Sequence, residues 1–147
     1  MVPTTNDDAQ AFLSVHSQAF LFTTLVDGSP IGWPMVGRLN DGGMEFSTYR
    51  SSAKARHLLA NPMASCLVVP RDSEADRRTL LVTGSVSIRE DRGGADAVKA
   101  HAGAGRSGIE VPSEVAEAVK ARHDSGKRCV VRIELDDLRF SNLAEGM

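Results

Sequence analysis

The chain has 147 residues, 41% of them hydrophobic and 24% charged, with a formal net charge of −2 and a pI near 6.1. This is the usage of a single soluble globular domain spanning 1–147, with little room for a second core. The slightly acidic balance argues against a nucleic-acid-binding surface, which carries a basic excess. No apolar run approaches the roughly 18 residues that cross a bilayer, and the opening residues lack the charged and apolar regions of a signal peptide, so a cytoplasmic location is expected.

Taken in chain order, residues 1–18 predict an N-terminal helix, from Asn6 to Ser17. Asn6 is its expected cap, Asp7 and Asp8 complement its dipole, and Ala9, Phe12, Leu13 and His16 share the face expected to plug a barrel end. Ala19 to Val26 reads as a strand, and Asp27-Gly28 turns it into a second strand, Ile31 to Leu39. Pro34 confines that strand to an edge or a bulge. Asn40-Asp41-Gly42-Gly43 is the next turn, and Met44 to Tyr49 the third strand, with Met44, Phe46 and Thr48 on one face.

A short helix follows, Ser52 to Ala60, expected to bury Ala55, Leu58 and Leu59 and stopped by Asn61-Pro62. Ala64 to Val69 is the fourth strand. After a polar loop over 70–78, Thr79 to Arg89 alternates with Leu80, Val82, Gly84, Val86 and Ile88 on one face. Gly84 at its centre predicts a bulge or a close backbone approach, as a curling sheet needs. Residues 92–125 read as a helical insertion, with its firmer helix from Pro112 to His123. The last strand runs from Lys127 to Asp137, and Leu138 and Phe140 continue its buried set. Cys66 and Cys129 fall inside strands as small buried hydrophobes, and no two histidines are spaced to face one metal.

The stretch from Phe46 to Pro62 holds the chemistry. A strand enters a serine-rich turn and then a helix carrying Lys54 and Arg56, with Arg50 just before it. The unpaired N–H groups of a helix start, beside serine hydroxyls and a lysine, suit a phosphate. The same residues also fit a plain cap, with Ser52 closing the helix and Lys54 on its solvated side. Trp33 fits either packing or stacking on a ring. Arg50 fits either a solvated turn or a phosphate contact, and Arg56 and His57 read as surface.

Six strands in this order describe a small antiparallel barrel, and the pattern then becomes specific. Phe46-x-Thr48-x-x-x-Ser52-x-Lys54-x-x-x-Leu58-x-x-Asn61-Pro62, preceded by Pro34-Met35-Val36 and followed by Val82-x-Gly84-x-Val86-x-Ile88, resembles the pyridoxamine 5′-phosphate oxidase-like family. The likeness covers about Ala19 to Leu138. It implies a mainly β, six-stranded split barrel with flanking helices, paired as a homodimer with cofactors at the interface. Thr48, Ser52 and Lys54 would line the phosphate or ring side, with Trp33, Pro34, Met35 and Val36 beneath the ring and Tyr49, Arg50 and Ser51 on the same turn.

The resemblance also has departures. Pro34 and Ala53 stand where the pyridoxamine phosphate oxidases carry arginines, which points away from that reaction. Ala53-Lys54-x-Arg56-x-Leu58 is closer to the branch using the deazaflavin coenzyme F-420, so the balance favours that cofactor over FMN. The implied activity is hydride transfer to or from a small conjugated substrate, the cofactor carrying the chemistry. No catalytic residue is assigned, since either Tyr49 or solvent can supply a proton. The alternative is a non-catalytic carrier of a flavin, deazaflavin or tetrapyrrole such as haem or biliverdin, with His57 the one candidate axial ligand near the groove.

Overall fold

Short alternating stretches with turn residues between them form the wall of a barrel, and the two described helices sit where the alternation breaks. The computed structural model describes residues 1–72, 74–91, 117 and 127–142. Glu117 is helical and exposed; the rest of the insertion expected over 92–125 lies outside the described residues.

In chain order the elements are β1 (Val2–Pro3), α1 (Asn6–Leu13), β2 (Gln18–Thr24), β3 (Pro30–Asn40), β4 (Gly43–Tyr49) and α2 (Ala53–Ala60). Then follow β5 (Met63–Val68), β6 (Arg78–Glu90), β7 (Arg128–Glu134) and β8 (Asp137–Asn142). Every pairing is antiparallel. The order β6-β5-β2-β3-β4-β7 closes back on β6, giving the expected six-stranded barrel, and β8 and β1 extend from β6 outside that ring.

β7 and β8 are two halves of one bent strand. Val86 pairs with Ile133 and Thr83 with Asp137, so Gly84 and Ser85 face Glu134, Leu135 and Asp136 across a bulge. A Cβ on Gly84 would overlap the Glu134 carbonyl oxygen, and the Ser85 N–H donates to the Asp136 carboxylate at 3.0 Å. Gly84 is therefore the close approach its position predicts. The extra residue shifts the alternation by one, so Val131 and Ile133 face inward before the bulge and Leu138 after it.

The core fills from both ends. Leu21, Phe46, Cys66, Val82 and Ile133 are buried between the strands, with Leu58 from α2 and Phe12 from α1 packed against them. Both cysteines are buried as expected, and burial pushes the Cys66 thiol up to about 12, away from nucleophilic use. The expected face of α1 is buried too, but Thr5 and not Asn6 caps the helix, accepting from the Asp8 N–H at 3.2 Å. The helix ends at Leu13 instead of Ser17. Val15 and His16 both turn their N–H groups back onto the Phe12 carbonyl, and the His16 ring accepts from the Arg71 N–H at 3.1 Å.

Two details of the wall position the site. The β3–β4 turn is a two-residue hairpin in which Asp41 (φ 51°) and Gly42 (φ 74°) both take the left-handed region, the twist such hairpins need. In addition, β3 pairs with β2 over 30–36 but with β4 only over 37–40. Past Phe46, β4 pairs only with β7. Residues 30–36 and 47–49 thus diverge, and among the described residues no strand lies between them: this is the split. Pro34 lies in the stretch of β3 that pairs on one side only, where a proline is tolerated.

Candidate functional site at the split

α2 leaves β4 at the lip of the split. Ser52 caps it with extended backbone (φ −66°, ψ 153°), its Oγ accepting from the Ala55 N–H at 3.2 Å and its carbonyl from the Arg56 N–H at 3.1 Å. Thr48, buried beneath, donates to Ser52 Oγ at 3.4 Å. The capping role is therefore real, and the N–H groups of Ala53 and Lys54 are left without partners among the described residues.

Trp33 points into the barrel from β3, and α2 covers it. Its indole lies 4.9 Å from Lys54 Nζ and 6.2 Å from the His57 ring, tilted by 44°. The Trp33 Nε1–H donates to Thr23 Oγ1 at 3.0 Å, and Thr23 Oγ1 lies 2.9 Å from His57 Nδ1. Four residues from β2, β3 and α2 thus form one linked group at the opening.

Of the expected site residues, the structure brings Trp33, Thr48, Ser52 and Lys54 together around the start of α2. Met35 shares the inward face of β3 and packs on the core, whereas Pro34 and Val36 point outward and are exposed. The run 33–36 is therefore divided between the two faces of one strand. Ser51 is exposed on the turn. Arg128 stacks over the Tyr49 ring at 4.5 Å, and Arg50 Nη1 lies 3.7 Å from Glu90 Oε1. Arg50 also lines a pocket of about 220 Å³ with Ala55, Leu59, Ile88, Arg89, Glu90 and Cys129, on a stripe of α2 next to the one holding Lys54. Leu59 is not buried as expected but 69% exposed, because Leu58 fills the barrel end and the next residue round clears it.

Sequence reasoning missed two features. His57 is not a surface residue but half-buried and bonded to Thr23. The available signal was Thr23 itself, a polar residue at an inward position of an apolar strand. The second is an ion cluster on the outer face. Glu45, 2% exposed, takes a bidentate contact from Arg89 at 2.8 Å and contacts from Arg132 at 3.2 Å and Asn40 at 3.1 Å, with Arg38 at 3.7 Å. Burial on its own raises its carboxyl; the bonds from Arg89, Asn40 and Arg132 outweigh that and hold it at about 2, below the ordinary 4.5. The arginines come from three strands, so no local spacing announces the cluster.

Comparison with known proteins places this architecture. A family model described as pyridoxamine 5′-phosphate oxidase matches residues 5–142. A sequence search of the curated proteins returned no match. Among solved structures, a conserved hypothetical protein of Mycobacterium tuberculosis superposes with TM-score 0.72 at 22% identity, covering 99% of this chain and 90% of that one. An F-420 reductase gives 0.65 at 23% identity, over 90% and 94% of the two chains. A haem-binding protein of Mycobacterium smegmatis gives 0.65 at 17%, over 96% of this chain and 55% of its own. At these identities the superpositions speak for the fold alone. The family match takes in both lips of the split and the helix between β4 and β5, and the chain therefore belongs to the pyridoxamine 5′-phosphate oxidase-like split-barrel family.

Proposed function

We propose that the chain is a flavin-type oxidoreductase that holds a phosphorylated cofactor, the deazaflavin F-420 in preference to FMN, against the split beside α2. The observation that carries this reading is the start of α2. The N–H groups of Ala53 and Lys54, without partners among the described residues, lie next to the exposed Ser51 and the Lys54 side chain where a wall of the barrel is missing. That donor set fits a phosphate, with charge-assisted bonds from the lysine and the positive end of the helix dipole. Ser52 and Thr48 support the turn from below, and Trp33 offers an aromatic surface for the ring system.

When bound, such a cofactor supplies hydride transfer. The chain's part is to bind, orient and exclude water. Half-buried Trp33 and Met35 keep the inner wall of the split apolar, and the α2 start fixes the anionic end. We place a second copy of the chain on the outer face of β2, β3 and β5, where Phe20, Phe22, Pro34, Val36, Met63 and Leu67 alternate outward; Phe20 and Met63 remain 41% and 48% exposed. A Phe20→Asp variant is expected to run as a monomer in light scattering.

The reading is tested by titrating the purified protein separately with FMN and F-420 and following absorbance and cofactor fluorescence. Micromolar or tighter binding of either supports it, and binding of neither removes it. The tetrapyrrole alternative rests on one observation, His57 at the same opening, and is tested by the haem Soret band with wild type and His57→Phe.

A further inference from the structure

One buried hydroxyl joins two residues of the site. Thr23 is 2% exposed, and its Oγ1 meets only Trp33 Nε1 and His57 Nδ1 among the described residues. A hydroxyl has one proton to give and two lone pairs to receive. The indole N–H can only donate, so it takes one lone pair. If His57 also donated from Nδ1, the Thr23 proton would face no acceptor in a buried place, which is costly. The bonds therefore run from Trp33 to Thr23 and from Thr23 to His57 Nδ1, and the imidazole carries its hydrogen on Nε2.

We infer that Thr23 is a positioning residue that fixes His57 as the Nε2–H tautomer, so that Nε2–H and the Lys54 ammonium form a donor pair for an anionic oxygen of a ring-bearing ligand against Trp33. Lys54 and His57 are three residues apart on α2 and lie on one side of it. Both flank the indole, and neither Lys54 Nζ nor His57 Nε2 has a hydrogen-bond partner among the described residues. The ligand class is a planar ring system bearing phosphate or carboxylate. This rests on the proposed function and adds to it a recognition residue beyond the phosphate turn. It also separates the two readings of the site, since an axial iron ligand needs the Nε2 lone pair that this tautomer does not offer.

Long-range nitrogen–proton NMR of the labelled protein reads the tautomer without any ligand. The expected pattern is Nε2–H in wild type and Thr23→Ser, and a mixture in Thr23→Val. Affinities for FMN and F-420 come from quenching of Trp33, the only tryptophan. His57→Gln, which keeps a donor near the Nε2 place, is expected to bind within about twofold of wild type, and His57→Phe about fivefold more weakly. An Nδ1–H pattern in wild type overturns the inference, as does a His57→Phe variant that binds like wild type while wild type itself binds cofactor. Wild type that binds neither cofactor overturns the proposed function and this inference with it. If Thr23→Val does not fold, the wild-type and Thr23→Ser spectra still decide the tautomer.

Discussion

The barrel carries two polar clusters that differ in one respect. Around Glu45 every strong donor has somewhere to go: Arg132 alone reaches Glu45, Glu134 and the carbonyls of Asn40 and Asp41. Around Trp33, the Lys54 ammonium and His57 Nε2 have no hydrogen-bond partner among the described residues. Saturated charge on the outer face ties β3, β4, β6 and β7 together and clamps the Asp41-Gly42 turn. Unsaturated donors at an opening are what a ligand can use. Charge count alone points to the other cluster, because the arginines are gathered at Glu45.

The sharpest way to break this contrast is Glu45→Ala, which leaves three arginines facing a neutral gap. It is expected to cost about 3 kcal/mol in urea unfolding while cofactor affinity of the folded protein stays unchanged. The same carboxylate sets an acid limit. Its pKa is depressed in the fold, so its contribution is whole above the unfolded value near 4.5 and is lost as the pH falls toward 2. Urea midpoints measured across that window should fall more steeply for wild type than for Glu45→Gln.

On the other side of the contrast, Lys54→Ala should weaken cofactor binding about tenfold or more, with unfolding free energy within about 0.5 kcal/mol of wild type. Equal affinity would remove the phosphate assignment and leave the fold standing. Ser52→Ala tests the cap and should cost about 1 kcal/mol of stability, a loss seen in the melting curve before it is seen in affinity. The smallest effect belongs to Arg50→Ala, whose guanidinium turns to Glu90. Stability and cofactor affinity should both change by less than about 0.5 kcal/mol.

Much of the wall was legible because it is written in period two. The strands from β2 to β6 stand within two residues of where alternation and turn residues put them, and Gly84 announced its close approach. β1 was not legible, since two residues carry no period and exist as a strand only by pairing with β8. The division of 128–142 into β7 and β8 depends on an extra residue that alternation cannot count. At the site, Ser52 and Lys54 could be read because helix starts have local signatures. The inward turn of His57 was harder to read, because the hydroxyl it meets belongs to Thr23, 34 positions earlier. Glu45 sits at an outward position that sequence alone assigns to solvent.

The lip of the split formed by β3 has a further property. The Gly37 N–H donates to the Ser17 carbonyl, so odd-numbered residues of this strand send their N–H groups toward β2 and even-numbered ones toward the open side. Pro30 and Pro34 are both even and have no N–H to send. An unpaired strand is a template on which stray chains can add and aggregate, and here alternate rungs of that template are blank. Along the open stretch only Gly32 and Val36 still offer an outward N–H, so anything that settles on this lip meets a backbone with half its donors removed.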